Sequence, residues 1–311
     1  IILYPVAEIN SAYYNLLFDT REFADEFYKW GHGIVDDLWT TTWQDMKKIK
    51  IIVPPIEEQQ KIARFLDEKC GYIDNITELL KKQIELLADY KKSLITETVT
   101  QGFNKNVNMK DSGVNYIGKM PVDWKLTKLK YICKKLNRNF DSFAEHLICS
   151  NGGKVIKRDI NNNIGLISDN EKMYQGVQKG DLLIHGMDTW HGAIAISEYN
   201  GKCTNVVHVC NSEENKHFIC YFLQMLAFRN VYKSLCNGVR ENTSDFRSWE
   251  KTGNIYITLP PAEEQEEISA FLDKKCENID NIISAKKQQL QIMEDYKKSL
   301  VYECVTGKRK V

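Results

Sequence analysis

Long and branched apolar residues recur at every seventh position in two stretches of the chain, with Lys286 as the one interruption. Sevenfold spacing sustained over about four heptads is typical of a coiled coil. Polar residues fill the remaining positions, so each helix has a narrow apolar seam and a wide solvated face. The alternative is that both stretches belong to one compact helical core. The predicted seam residues are Leu66, Ile73, Leu80, Leu87 and Leu94 in the first stretch and Leu272, Ile279, Met293 and Leu300 in the second.

The two stretches are copies of one sequence. At a constant offset of 206 residues, 26 of the 47 positions from Pro54 to Thr100 carry the same residue in both copies. Each copy follows a short β-like run, KIKIIV or NIYITL, which a double proline ends. Pro55 and Pro261 suit the first turn of a helix, and the glutamates that follow complement the positive end of its dipole. We therefore expect both helices to begin alike and to end alike in DYKKSL.

A different pattern lies between the helices. The runs GDLLIHG, GAIAISEY and TNVVHVC are β-like, turn signals such as NGG separate short strands, and a helix is predicted from Lys216 to Asn237. This pattern indicates an α+β fold in which globular mixed α/β domains are joined by two long antiparallel coiled-coil helices. Upstream of the first helix, Trp43 matches Trp249 at the same offset, which indicates the end of a second domain of this kind. The predicted divisions are 1–50 (the C-terminal part of a first globular domain), 51–105 (first helical spacer), 106–255 (second globular domain) and 256–311 (second helical spacer).

Charge and cysteine content narrow the function classes. The chain has 42 basic and 42 acidic residues, but residues 106–255 hold 20 against 15, a net of +5, and the remainder is net −5. A mildly basic segment between acidic ones is weak evidence for a nucleic-acid partner. The nine cysteines include no C-x-x-C, which argues against a zinc site and favours a reducing, cytoplasmic setting. No apolar run approaches the ~18 residues of a membrane span.

Motifs of catalysis are missing from the sequence. It has no phosphate-cradling loop, no dinucleotide-binding glycine pattern and no H-E-x-x-H, and its six histidines do not pair at metal-ligand spacing. These observations favour a binding or scaffold protein without a metal or cofactor. An undetected nuclease or methyltransferase is the enzymatic alternative, and activity of the isolated chain would reveal it.

Several motifs together resemble those of one family. They are the duplicated PPxEEQ helix starts, the DYKKSL helix ends, SGVNYIGKMPVDW at the start of the intervening domain, GDLLIHGMDTWHGAIA, and NGVRENTSDFRSWEKTGNIYITLPP. With them the chain resembles the specificity subunits of type I restriction-modification systems. The resemblance implies two target-recognition domains that each read half of a bipartite DNA sequence. It also implies helical spacers that dock methyltransferase subunits.

Several functional expectations follow from the resemblance. The chain itself is expected to be non-catalytic and to need no cofactor, while partner subunits methylate adenine and cleave DNA. Its expected partners are double-stranded DNA, methyltransferase subunits and, through the complex, restriction subunits, with no membrane. Only residues 1–50 would remain of the first recognition domain, so the chain reads as truncated at its N-terminus, and a homodimer would regain two readers. The alternative function is a coiled-coil scaffold or adaptor that binds protein partners.

Two loops of the second recognition domain are the predicted DNA readers. In the loop from Gly238 to Arg247, arginine suits phosphate or guanine, asparagine suits adenine, and threonine suits the thymine methyl group. The loop from Gly186 to Gly192 offers polar and stacking groups. Alternatively, the tryptophans are core residues and Arg240 pairs with a nearby carboxylate. The predicted DNA-binding residues are Arg240, Asn242, Thr243 and Arg247 in the first loop and Asp188, Trp190 and His191 in the second.

The helix starts are the predicted docking sites for partner subunits. Their polar residues are expected on the outer faces of the helices, although capping of the helix N-termini explains the glutamates equally well. The predicted docking residues are Glu57, Glu58, Gln59, Glu263, Glu264 and Gln265.

Overall fold

The computed structural model describes residues 4–33, 39–104, 106–159, 170–235 and 246–311. The helices among these residues are α1 (Ser11–Phe18), α2 (Arg21–Lys29), α3 (Trp43–Met46), α4 (Ile56–Gln101), α5 (Leu129–Ile132), α6 (Lys216–Phe228), α7 (Val231–Leu235), α8 (Trp249–Gly253) and α9 (Ala262–Val305). The strands are β1 (Met109–Asp111), β2 (Lys119–Pro121), β3 (Lys125–Lys128), β4 (Cys133–Leu136), β5 (Leu147–Cys149), β6 (Val155–Lys157), β7 (Tyr174–Val177), β8 (Leu182–His185), β9 (Ile194–Ile196), β10 (Gly201–Thr204), β11 (Val207–Ser212) and β12 (Tyr256–Leu259). None of these helices is long and apolar enough to cross a membrane.

The chain forms two compact units. The first unit contains Ile1–Leu87 and Asp280–Val311, and the second contains Ala88–Ile279. Each unit therefore includes part of α4 and part of α9. The predicted α+β class with two long antiparallel helices is confirmed by this mixture of sheets and two helices of 46 and 44 residues.

Polar contacts in the first unit define the direction of the helix pair. The ammonium of Lys297 lies 2.6 Å from a carboxylate oxygen of Asp74, and that of Lys286 lies 2.6 Å from the side-chain oxygen of Gln83. As the residue number rises along α4, that of its contact on α9 falls. The two helices are therefore antiparallel in this unit.

Short helix α1 covers the seam of the first unit. Tyr13, Tyr14 and Leu17 of α1 share one apolar cluster with Leu66 and Leu300. Where a third element lies over two helices, their seam residues lose nearly all contact with water. Of the nine predicted seam residues, Leu66, Ile73, Leu272, Ile279 and Leu300 are buried, and Leu80, Leu87, Leu94 and Met293 are partly buried.

The second unit is built on a four-stranded antiparallel sheet in the order β4-β11-β8-β9. Alternate residues of β8 serve two different cores: Leu182 and Ile184 join the cluster that includes α6, whereas Leu183 joins a cluster with β5 and β10. Both faces of the strand are covered, which explains its continuous apolar sequence.

Helix α6 is shorter than the sequence predicted. The sequence predicted one helix from Lys216 to Asn237, but α6 ends at Phe228 and a separate helix, α7, begins at Val231; Asn237 itself lies outside the described residues. Asn230 between them has a φ of 56°, in the left-handed region that asparagine tolerates better than most residues. The predicted single helix is therefore wrong, because a local backbone reversal overrides the side-chain pattern.

A glutamine near the start of each long helix binds the N-cap of a short helix. In the second unit, Asn215 caps α6 and its backbone N–H donates to Oε1 of Gln265 at 3.0 Å. In the first unit, Asn10 caps α1 and its N–H donates to Oε1 of Gln59 at 2.9 Å. Each glutamine also donates to a proline carbonyl just before its own helix, that of Pro54 or Pro260.

These contacts correct the expectation that Gln59 and Gln265 lie on outward docking faces. Both side chains are buried in the chain itself, and their amides are used on backbone groups. A polar residue that follows two glutamates resembles part of a solvated face in the sequence. A buried amide that satisfies local backbone donors and acceptors has the same residue type and spacing.

Candidate nucleic-acid interface

The two predicted reading loops are described to different extents. Arg240, Asn242 and Thr243 lie outside the described residues. Arg247, at the end of the same loop, is described, and it is exposed immediately after the fully buried Phe246. The loop from Gly186 to Gly192 is described throughout.

The start of the second loop lies directly against Arg247. A Cβ atom added to Gly186 would come within 2.9 Å of the Arg247 Cα atom and of the carbonyl oxygens of Phe246 and Val206. Only glycine fits such a close approach between backbones. The structure therefore brings the predicted loops together at this point, although about 60 residues separate them in the sequence.

A buried histidine holds the backbone behind Arg247. Nε2 of His208 lies 2.7 Å from the carbonyl oxygen of Phe246, which also accepts from the Thr252 hydroxyl at 2.9 Å. Burial lowers the pKa of His208 to about 4, so the imidazole is neutral near pH 7 and Nε2 carries the donated hydrogen. The Phe246 ring packs edge-on against the Tyr232 ring, with 5.0 Å between the ring centroids. The main chain at Arg247 is thus anchored while its guanidinium faces solvent.

Asp188 is the polar centre of the second loop. Its carboxylate lies 3.3 Å from Nδ1 of His185 and 3.6 Å from Nδ1 of His191. The backbone N–H of Asp188 also donates to Nδ1 of His185 at 3.1 Å, and burial lowers the pKa of this histidine. His185 is therefore a neutral acceptor, and the partly exposed carboxylate of Asp188 lies beside His191. Gly192 ends the turn with a φ of 80°.

Trp190 is positioned mainly by the core. It is partly buried against the cluster that contains α6, and Trp249 packs against the same cluster. The rings of Trp190 and His191 lie 3.5 Å apart between centroids. Nε1 of Trp190 is buried without a hydrogen-bond partner among the described residues. The packing of Trp190 and Trp249 therefore fits the alternative in which the tryptophans are core residues.

A polar pocket opens beside Asp188. Its cavity of about 440 Å³ is lined by His146, Arg158, Tyr174 and His185 as well as Asp188. Nε of Arg158 is buried and has no partner among the described residues. The pocket offers a few polar groups among apolar walls, which is the usual composition of a small-molecule site. Within the described ranges, no group of three or more histidine, cysteine or acidic residues could hold a metal ion.

A basic segment was missed by the sequence reasoning. Residues 125–138, KLTKLKYICKKLNR, contain five lysines and one arginine and no acidic residue. Helix α5 within this segment packs against α8, which begins two residues after Arg247. The signal was visible as a local run of charge, but the zero net charge of the chain and the small surplus of residues 106–255 obscured it.

The glutamates at the helix starts differ in exposure. Glu57, Glu58 and Glu263 are exposed, and Glu264 is partly buried. Oε2 of Glu264 accepts a hydrogen bond at 2.8 Å from Nε1 of Trp124, which is itself buried. Glu264 therefore has a structural partner within the second unit, and the other three carboxylates remain on the surface.

A comparison with known protein families identifies the family of this chain. The family described as "Type I restriction modification DNA specificity domain" matches residues 9–87 and 121–291, most of the chain. The chain belongs to this family. The matched ranges include both helix starts with their buried glutamines, the Gly186 loop and Arg247.

Curated relatives in the family carry matching names. The chain is 27% identical over 287 residues to the type I restriction enzyme MjaVIII specificity subunit of Methanocaldococcus jannaschii, covering 85% of this chain and 63% of that protein. It is 27% identical over 277 residues to the putative MjaX specificity subunit of the same organism, covering 86% and 60%. The chain thus spans somewhat over half the length of these relatives.

Solved structures with this fold have little sequence identity to the chain. One, from a study of complex assembly and conformational transition of the type I R-M system, has a TM-score of 0.70 at 12% identity and covers 96% of this chain and 71% of that one. The HsdS subunit of Thermoanaerobacter tengcongensis has a TM-score of 0.51 at 14% identity, covering 96% and 70%. These likenesses support the specificity-subunit fold.

Proposed function

We propose that this chain recognises DNA sequence as the specificity subunit of a type I restriction-modification complex and directs adenine methylation and DNA cleavage by partner subunits. Membership of the specificity family supports the DNA-reading role. In this proposal the chain itself is non-catalytic and acts in the cytoplasm. Its partners are double-stranded DNA, methyltransferase subunits and, through the complex, restriction subunits.

The observation that carries the proposal is the junction of Arg247 with the Gly186 loop. An exposed guanidinium on an anchored backbone is a suitable group for bidentate contact with a guanine edge or for a phosphate contact. Asp188 and His191 lie on the adjoining loop and offer an acceptor and a ring. Preorganised side chains on a rigid frame lose little entropy when they meet DNA.

The helix starts would serve the partner subunits. Glu57 and Glu58 on α4 and Glu263 on α9 are exposed and can meet basic groups of a methyltransferase subunit, whereas Glu264, next to Glu263, is bound to Trp124. We retain the division into part of a first recognition domain (1–50), a spacer (51–105), a second recognition domain (106–255) and a second spacer (256–311) as part of the proposal. A homodimer of the chain would present two copies of residues 106–255.

Mapping of methyladenine at base resolution tests the function. The chain is co-expressed with a type I methyltransferase subunit with which it co-purifies, and the DNA of these cells is compared with DNA from cells that carry the methyltransferase subunit alone. A methylated motif that depends on the chain is expected. A palindromic motif would indicate two copies of the second recognition domain, and a bipartite asymmetric motif would indicate two different readers.

Other results would contradict the proposal. Co-purification without a chain-dependent motif would mean that the chain docks but does not direct methylation. If the chain binds neither DNA nor the methyltransferase subunit, a scaffold that serves other proteins is favoured.

A further inference from the structure

The basic segment 125–138 lies beside the proposed reading loops. The backbone N–H of Leu129 in α5 donates to the carbonyl of Ile255 at 2.9 Å. A Cβ atom on Gly253, at the end of α8, would lie 2.9 Å from the Cβ atom of Lys130. Helix α8 begins just after Arg247, and its Thr252 helps to anchor the backbone there. These contacts therefore fix the basic segment against the helix that anchors the arginine.

Strand β4 carries the second half of the segment along the edge of the sheet. Lys134 pairs in register with Asn211 and Lys135 with Cys210, and no described strand lies on the other side of β4. Burial has the largest effect on the pKa of His208, and the positive charge of Lys135 lowers it further. The ammonium of Lys135 is therefore close enough to act on the histidine that holds Phe246.

Most of the charge in this segment is unneutralised. Arg138 pairs with the buried carboxylate of Asp181. Lys130, Lys134 and Lys135 are exposed and form no ion pair with the described residues, and Lys130 lies 5.4 Å from the centroid of the exposed Tyr131 ring. Exposed ammonium groups without carboxylate partners leave a local positive field.

We propose that Lys130, Lys134 and Lys135 bind DNA phosphates and set the register of the duplex, so that base reading is left to the loops at Arg247 and Asp188. This inference rests on the proposed DNA-reading function. Lysine is a flexible point charge suited to phosphate, whereas sequence readout needs groups directed at base edges. Lysines on an edge strand also discourage pairing with other chains, and this role alone would leave DNA binding unchanged when they are replaced.

The test compares three variants of the full chain in complex with its methyltransferase subunits. Lys134→Gln/Lys135→Gln removes two charges from β4. Lys274→Gln/Lys275→Gln removes two charges from exposed adjacent positions on α9 of the same unit and is the matched control. Lys134→Arg/Lys135→Arg keeps the charge. Circular dichroism and melting confirm that each variant is folded, and fluorescence anisotropy measures the affinity for a 30-bp duplex of arbitrary sequence between about 50 and 200 mM salt.

Loss of two phosphate contacts has a defined signature. The slope of log affinity against log salt is expected to become shallower by about 2 in the Lys134→Gln/Lys135→Gln variant, with a similar loss of affinity on unrelated duplexes. The arginine variant should restore the parent slope, and the α9 control should retain it.

Three outcomes would overturn the inference. A slope equal to that of the control while the parent binds DNA would remove the phosphate role and leave the proposed function intact. A change in methylated motif would assign base reading to these lysines. A parent complex without salt-dependent DNA affinity would overturn the proposed function together with the inference.

Discussion

Gln265 joins the start of α9 to the start of α6, because its side-chain oxygen accepts from the backbone N–H of Asn215 at 3.0 Å. Its amide nitrogen donates to the carbonyl of Pro260 at 2.9 Å and to the carboxylate of Glu214 at 2.8 Å. One buried side chain thus satisfies a helix N-cap, a turn and an acidic residue. Gln59 repeats the contact with Asn10 in the first unit.

Replacement of Gln265 by alanine is expected to lower the free energy of unfolding by about 1–3 kcal/mol, because it leaves backbone groups without partners in a buried site. Urea unfolding monitored by circular dichroism measures the change. Gln289→Ala, on an exposed position of the same helix, is the control and should unfold at the parent midpoint. Equal midpoints for both variants would contradict a structural role for Gln265.

Burial along α4 predicts unequal costs for two leucines. Leu66 is 0% exposed in the core that contains α1, whereas Leu86 is 69% exposed. Leu66→Ala should lower the free energy of unfolding by about 2–5 kcal/mol because it removes buried methyl groups and leaves a cavity. Leu86→Ala should change it by no more than about 0.5 kcal/mol. Similar costs in urea titrations would refute the packing described for the seam.

Arg247→Ala tests the proposed reading loop. Once the methylated motif is mapped, affinity for a duplex that contains it should fall by about 1–3 kcal/mol. If the guanidinium reads guanine, discrimination at one base pair is lost; if it binds phosphate, all duplexes weaken alike and the salt slope falls by about 1. Arg64→Ala removes an exposed arginine from α4 and should bind as the parent does. Parent-like affinity and motif in Arg247→Ala would exclude this residue from the interface.

The buried imidazole of His208 makes the anchor of Arg247 sensitive to acid. The pKa of His208 is lowered to about 4 in the folded chain, against about 6.5 in an unfolded one. Between these values the unfolded state binds more protons, so stability falls as the pH falls from 6.5 towards 4, by up to about 3 kcal/mol. Hydrogen exchange of residues 246–253, corrected for intrinsic rates, should show less protection at pH 5 than at pH 7.

Two variants check the assignment of this pH dependence. His208→Asn removes the titrating group and should flatten it, whereas His191→Asn, at an exposed position in the neighbouring loop, should preserve it. A pH dependence that persists in His208→Asn would assign the effect to other groups.

The sequence predicted the two long helices, but it did not predict which of their polar side chains are buried. Heptad spacing predicted α4 and α9 because periodicity over many turns is a strong signal. The glutamines at positions 59 and 265 were assigned to the surface because each follows two glutamates. Their partners, Asn10 and Asn215, lie about 50 residues upstream, and no local pattern encodes such a contact.

The candidate site was predictable in its parts but not in its assembly. Glycine-led loops with polar tips identified Arg247 and Asp188 as candidate readers. Their proximity depends on the packing of Gly186, Val206 and Phe246, which involves three separate segments of the chain. Lys134 and Lys135 are visible in the sequence as part of a basic run. Their position close to Arg247 follows only from the pairing of β4 with β11, which brings Lys135 near His208.

The closeness of Gly186 to the backbone at Phe246 and Arg247 limits how the proposed reading surface can diversify. Any side chain at position 186 would push apart two loops that share a single frame. Residues at the tip of either loop can be substituted without a change in the other loop. A substitution at the contact of Gly186 with the backbone at Phe246 and Arg247 requires a matching change in both segments. Exchange of one loop between related chains is therefore expected to preserve folding only when the glycine is inherited with its matching partner segment.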